Sequence, residues 1–227
     1  MKYYCLVHYE ERILAGSNFA GNICFMEDTV DVKSILNLQL VTDPRWVQLA
    51  SISTEAILTD HAYCEQKAAI SCISIIQHYS SKKEIVHKLS PIVTEEWGHF
   101  RLVLQELEKR KLNLGKQRKD VYVNQLLAFQ QKGGSEEGRL LDKLLTMALI
   151  EARSCERFKR LSEGLEDAGL RKFYRRFMES EAGHYTLFIE LARLYFPVEK
   201  VNERWKQWLA YEAHVMQSSE LRGDRIH

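Results

Sequence analysis

The chain has 227 residues, 45% hydrophobic and 28% charged, with only three prolines and eleven glycines, which excludes a loop-rich or disordered chain and allows one sizeable core. A formal net charge of +1 excludes a global pull toward nucleic acid or membrane, so such contacts would have to use local patches. No apolar run reaches the roughly 18 residues of a membrane span, and charges interrupt MKYYCLVHYEERILAGSNFAG where a signal peptide needs its apolar stretch.

Residues 1–40 contain β-compatible stretches (YYCLVHY, NICFM) and read as an irregular N-terminal extension packing on the main body, which would span 41–227. Thr42-Asp43-Pro44 is a helix start, a capping residue before proline at the first helical position. From there periodicity predicts helices over 44–51, 53–79, 83–111, 120–131, 139–163, 169–196 and 199–218. Ser80-Ser81, Gly133-Gly134, the GLEDAG turn at 164–169 and Pro197 separate them. Pro91 should kink the third helix or restart it with Ser90 as cap. No long linker divides the chain, so we expect one all-α domain.

Five cysteines (Cys5, Cys24, Cys64, Cys72, Cys155) form no CxxC pair, and the three in helical patterns read as reduced buried thiols. The expected compartment is the cytoplasm.

With 23 Glu and 8 His, about one Glu-x-x-His is expected by chance, yet the chain has three: Glu84/His87, Glu96/His99 and Glu181/His184. Their helix faces sort them. Glu84/His87 shares its face with Ser80, Lys83 and Lys88, a solvated one. Glu96 stands in a row with Ile92, Phe100, Val103 and Leu107, and Glu181 with Tyr174, Phe177, Tyr185 and Phe188. A carboxylate on such a stripe must be paired or coordinate a metal, because burying it bare is costly. The segments around these two pairs also repeat: TEEWGHFRL returns 85 residues later as ESEAGHYTL.

Two further acids pass the same test. Glu65 shares a face with Leu58, His61, Ala69, Cys72 and Ile76, and Glu151 with Leu144, Met147, Cys155 and Phe158. Glu156 shares its face with Lys159, Arg160 and Glu163 and is expected to be exposed. In antiparallel hairpins, residues equidistant from the turn are level. Glu65 and Glu96 are centred near Ser80, and Glu151 and Glu181 on Glu166. Two such hairpins make a ferritin-like four-helix bundle, whose dinuclear centre takes one Glu from each of two helices and a Glu-x-x-His from each of the others. Carboxylates with imidazoles suit iron or manganese, and four carboxylates balance two divalent ions.

At LTDHAYCEQKAA, EEWGHF, ALIEARSCERF and FYRRFMESEAGHY the chain resembles the bacterial tRNA hydroxylases that act on 2-methylthio-N6-isopentenyladenosine, beside the anticodon. The resemblance runs from about Ile35 to the C-terminus. It places the family's metal ligands, through which catalysis runs, on Glu65, Glu96, His99, Glu151, Glu181 and His184, the residues that stripe and spacing select. Gly183 departs from it where arginine is expected, and SSELRGDRIH matches the family's ending only loosely.

The resemblance implies a non-haem diiron monooxygenase with O2 as co-substrate, hydroxylating the prenyl group with electrons from a reductase or ferredoxin, since no iron–sulfur motif is present. Phe100, Phe177, Tyr185 and Phe188 are candidates for a dry pocket wall, with core filling as the plainer role. Two basic runs, Lys109, Arg110, Lys111, Lys116, Arg118 and Lys119, then Arg171, Lys172, Arg175 and Arg176, are candidate phosphate contacts or simply solvated helix ends. A splayed anticodon-loop base would supply specificity. Glu95 can at most support the ligands, and Arg222-Gly223-Asp224 reads as a chance tripeptide. The rival readings are another ferritin-like dimetal protein of ferroxidase or peroxidase type without a tRNA substrate, or a metal-free helical interaction module. Oligomeric state is left open.

Overall fold

Ser135, Asp120 and Asp167 each stand just before an apolar-periodic segment, and each caps the helix that follows. Their side chains accept from Gly138 N (3.0 Å), Val123 N (3.0 Å) and Leu170 N (2.8 Å), satisfying donors that a helix start leaves unpaired. The computed structural model describes residues 36–227. The helices are α1 (Arg45–Ser51), α2 (Thr54–His78), α3 (Lys83–Lys109), α4 (Val121–Phe129), α5 (Glu136–Gly164), α6 (Ala168–Tyr195) and α7 (Val198–Ser218). There is no strand among the described residues. The β-compatible stretches of the N-terminal extension lie outside them, whereas Leu36 and Leu38, near its end, are buried in the core.

Helices α2–α3 and α5–α6 form two antiparallel hairpins that meet through α3 and α6, with α7 against α5 and α6 and α4 against α5 and α7. This is the expected ferritin-like bundle of two hairpins with additional helices. Helix α5 begins three residues earlier than periodicity suggests, because Ser135 rather than a later residue is its cap. Helix α3 runs unbroken through Pro91, so Ser90 does not restart it. Pro91 and His87, the residue whose carbonyl loses its helical amide partner, are both exposed.

A buried ion network ties the frame together and corrects one expectation. Glu156 is not exposed but 8% accessible. Its carboxylate accepts from Thr42 Oγ1 (2.5 Å), Arg153 Nη1 (3.1 Å) and Arg160 Nε (3.0 Å). Arg153, fully buried, also reaches Glu212 of α7 at 2.7 Å and donates to the Leu40 carbonyl. Of the charged neighbours on the Glu156 face, Arg160 is thus a partner for the buried acid, whereas Lys159 lies against Glu163.

The C-terminal segment is equally engaged. Trp46 Nε1 donates to the Arg222 carbonyl (2.9 Å), Arg118 pairs with Asp224 (2.6 Å), and Arg157 Nη1 donates to the Ile226 carbonyl (2.6 Å). A Cβ at Gly223 would fall 2.2 Å from the Leu49 carbonyl carbon. Only glycine allows so close an approach of two backbones. Arg222-Gly223-Asp224 is therefore a docking element and not a chance tripeptide.

Candidate metal centre

Glu65 projects from α2, Glu96 and His99 from α3, Glu151 from α5, and Glu181 and His184 from α6. Ligand-capable atoms of Glu65, Glu96, His99 and Glu181 lie within 4.8 Å of one another, as do those of Glu96, Glu151, Glu181 and His184. Glu96 and Glu181 belong to both groups, which makes one double cluster. Its carboxylates are only 1–4% accessible. Glu84 and His87 are both exposed, as their face indicates.

Both imidazoles turn Nδ1 inward. His99 Nδ1 lies 3.4 Å from Glu65 and 3.5 Å from Glu96, and His184 Nδ1 lies 2.7 Å from Glu96 and 3.4 Å from Glu181. Despite this proximity, both oxygens of Glu96, one each of Glu151 and Glu181, and Nδ1 of both histidines make no well-directed hydrogen bond. Buried polar atoms are normally satisfied. Here their lone pairs converge on shared points instead of on each other's protons. Four buried carboxylates with inward-facing imidazoles fit a metal centre, which would neutralise charge that the protein leaves uncompensated.

The protonation energetics agree. Burial, followed by the Glu181 and Glu96 charges, pushes Glu65 well above the usual carboxylate range, and burial with Glu181 does the same to Glu151. Burial opposes charge on His99, yet Glu65 and Glu96 outweigh it and raise its pKa to about 10. For Glu96 burial is again the largest influence, but His184 and His99 together overcome it and hold the carboxyl low. Without a cation, protons must serve as the counter-charge.

Two residues support the cluster from outside. His61, fully buried one turn before Glu65, places Nε2 2.6 Å from Glu65 Oε1. The rings of Phe158 (4.6 Å) and Phe177 (4.5 Å) pack around it. Burial drives its pKa well below the usual value, so a neutral ring shares one hydrogen bond with the Glu65 carboxyl. His61 is on the Glu65 stripe, so its place was legible, though its bond to Glu65 was not. Glu95, on the outer side, lies 3.4 Å from His184 Nε2 and 3.9 Å from His99 Nε2, and accepts from Ser180 Oγ at 2.7 Å. One carboxylate thereby addresses the outer nitrogen of both imidazoles, the arrangement that fixes ring orientation in metal sites.

The expected pocket wall is distributed differently. Phe177 lies 4.9 Å from the His99 ring, and Phe100 packs on Trp97 at 5.0 Å. Tyr185 and Phe188 belong to the core beside α7. The cavity that touches Glu65, Glu151 and Glu181 is lined by none of the four, but by residues of α2, α4 and α5 together with His227. A stripe position fixes which side of a helix is buried, not which buried neighbour it meets.

The basic runs also divide. Arg110 is paired with Glu106 and Asp167, Arg118 with Asp224, and Arg171 donates to the Leu165 and Glu166 carbonyls. Lys111, Lys116, Lys119, Lys172, Arg175 and Arg176 are exposed, and Lys109 reaches Glu106 only at 3.5 Å. The segment 110–120 crosses α2, where Tyr63 donates to the Gly115 carbonyl, and it ends at Asp120 on the cavity wall.

Gly183 has open space around its Cβ position, so the family's arginine could stand there without rearrangement. No helix among the described residues is long and apolar enough to cross a membrane.

Residues 29–227 match the family described as tRNA-(MS[2]IO[6]A)-hydroxylase (MiaE). The chain is 34% identical to a Pseudomonas putida protein named tRNA 2-(methylsulfanyl)-N(6)-isopentenyladenosine(37) hydroxylase, over 68% of this chain and 74% of that one. It is 26% identical to a Salmonella typhimurium protein of the same name, over 75% and 79%. Among solved structures it is similar to a Synechococcus protein described as having aldehyde deformylating oxygenase activity. That match has 33% identity and a TM-score of 0.79, covering 84% of this chain and 94% of the other. With the match spanning the whole helical body and every residue of the double cluster, the chain belongs to the tRNA-(MS[2]IO[6]A)-hydroxylase (MiaE) family.

Proposed function

We propose that this protein hydroxylates the isopentenyl group of 2-methylthio-N6-isopentenyladenosine in tRNA, beside the anticodon. It would use O2 and electrons from a reductase or ferredoxin, in the cytoplasm where tRNA is found. The observation that carries the reading is the double cluster sharing Glu96 and Glu181, in a chain of this family.

Glu65, Glu96, His99, Glu151, Glu181 and His184 would hold the irons, with Glu96 and Glu181 common to the two donor groups. Oxygen and imidazole donors suit iron, and the bound pair would supply the activation of O2 needed to hydroxylate an allylic carbon. The protein's own contribution is positional. His61 fixes the Glu65 carboxylate, Glu95 orients the two imidazoles, and Phe177 with Phe158 keeps water from the His61–Glu65 contact. The exposed lysines of segment 109–119, which leads to the cavity wall, are the better phosphate contacts. The α6 run begins with an arginine already engaged on the α5–α6 turn.

The test is nucleoside analysis of tRNA with and without the gene, together with iron content of the purified protein. Hydroxylated prenyl-adenosine persisting in the deletion strain sinks the reading. A second reading, oxygenation of an aldehyde, is supported by the Synechococcus relative. Product formation from aldehydes by the iron-loaded protein, with none from prenylated tRNA, would favour it.

A further inference from the structure

Two cavities meet on one side of the bundle. The inner, about 50 Å³, touches Glu65, Glu151 and Glu181. The outer, about 250 Å³, opens between α2, α4 and α5. They share Ser71, Val123, Met147 and Ile150 as lining residues, so they are adjacent and those side chains form the neck between them. Ile70, 57% accessible, and Leu127, 46% accessible, form an apolar rim where a helix surface would ordinarily be polar.

The chemistry of the walls is directional. Beside its Ile, Val, Leu and Met side chains the outer chamber carries Ser74, Gln130 and Thr146, and its one charged group is the half-buried Lys143, which has no ion-pair partner among the described residues. The neck adds one hydroxyl. The inner chamber then ends on the carboxylates. Gln130 Nε2 donates to Thr146 Oγ1 and Thr146 to the Asp142 carbonyl, so an apolar group can pass these side chains without stranding them, whereas an anion drawn by Lys143 at the mouth would meet carboxylates at the inner end. The size is selective as well. The outer chamber is below the roughly 300–1,000 Å³ of sites that swallow a whole drug-sized ligand, so it accepts a substituent and leaves the parent molecule at the mouth.

A second approach to the inner chamber is shut. The cavity between α4 and the C-terminal segment shares only His227 and no carboxylate with it. The His227 ring stacks on Tyr122 at 5.1 Å and holds Ser154 Oγ at 2.9 Å.

Resting on the function proposed above, we infer that the isopentenyl group threads from the α2/α4/α5 face past Val123, Met147 and Ile150 to the carboxylates. The base stays at the Ile70–Leu127 rim, and Lys143 meets an adjoining phosphate. Val123, Met147 and Ile150 are then the residues that set which apolar substituent reaches the centre.

The test uses iron-loaded full-length protein and anticodon stem-loop RNA with and without the prenyl group. Val123→Trp should retain iron and helix content, lose at least tenfold in hydroxylation, and erase the affinity difference between the two RNAs. Ile70→Trp, at the rim and clear of the core, should act in the same direction and stands in if Val123→Trp misfolds. Leu194→Trp, on an exposed α6 position outside the passage, should change neither readout. Full hydroxylation and intact prenyl preference in both groove variants overturn the inference. So does Leu127→Asp converting a dimer to a monomer in sedimentation with hydroxylation unchanged, because the face would then be an interface between copies. Wild-type protein that binds iron yet neither hydroxylates nor prefers prenylated RNA shows that the functional reading itself has failed, before any substitution is made, and removes the passage's occupant with it.

Discussion

Glu151 and Glu156 stand on the same helix, both under 10% accessible, and serve unrelated purposes. At roughly 100° per residue they project about 140° apart around the axis. Glu151 turns to Glu181 and the cavity, and Glu156 to Thr42, Arg153 and Arg160. Glu151→Ala should lose bound metal and hydroxylation while the apoprotein keeps or gains stability, because a strained buried acid disappears. Metal analysis and thermal melts of the metal-free protein check this.

Glu156→Ala should do the reverse. It leaves Arg153 and Thr42 short of a partner inside the protein, and breaking a buried pair costs about 3 kcal/mol or more. Denaturant unfolding should report that loss while metal content in the folded fraction stays normal. Equal metal loss in both variants would contradict the separation of roles.

How much of this was readable from residues alone is shown by the same pair. Glu151 was identifiable because its neighbours at helical spacing are apolar and because it is level with Glu181 across the turn. The burial of Glu156 was not, since its three partners are Arg153, Arg160 and Thr42. Two are on its own helix, where charge reads as solvent, and Thr42 is far away in the chain. Likewise the six cluster residues follow from local periodicity and hairpin spacing, and the seven helices given above from periodicity, whereas the cavity, the part played by His227 and the docking of Gly223 arise from long-range packing that leaves no periodic trace.

The pH response of the metal-free protein should run opposite to ordinary acid denaturation in one range. Glu65 and Glu151 have raised pKa values in the folded state, as do His99, at about 10, and His184. A raised folded pKa gives stability that is complete below the unfolded value and lost as pH rises toward the folded one. Glu65 and Glu151 therefore lose their contribution from about pH 4.5, the ordinary glutamic value, but His61 and His227, whose pKa values burial lowers, gain theirs up to about 6.5. A net decline in apoprotein stability is expected above about 6.5, where His99 and His184 join the loss. Metal binding displaces those protons and strengthens with pH. The gap in Tm between loaded and metal-free protein should widen from pH 6 to pH 8, and a constant gap would argue against protons as the alternative counter-charge.

Gly183→Arg should be tolerated. The position is exposed within α6 with nothing near its Cβ, and replacing a mid-helix glycine gains about 0.7 kcal/mol in helix propensity. A small rise in Tm with unchanged metal content is expected. A fall would show that the glycine makes room for something.

Gly223→Ala should release the C-terminal segment, because the added methyl meets the Leu49–Ala50 backbone and no side chain can yield. Limited trypsin digestion should cut after Arg222 or Arg225 far sooner than in the wild type, while α2, α3, α5 and α6 stay resistant.

Each four-residue group of the double cluster draws on both hairpins, α2–α3 and α5–α6, and neither hairpin owns a complete set of donors. Mechanically, bound ions would act as cross-struts between two half-frames that also meet along α3 and α6 and through the packing of His61 against Phe158 and Phe177. Stripping them would leave every helix intact and loosen the joint between the halves, so the same charges that hold the chemistry also set the stiffness of the scaffold around it.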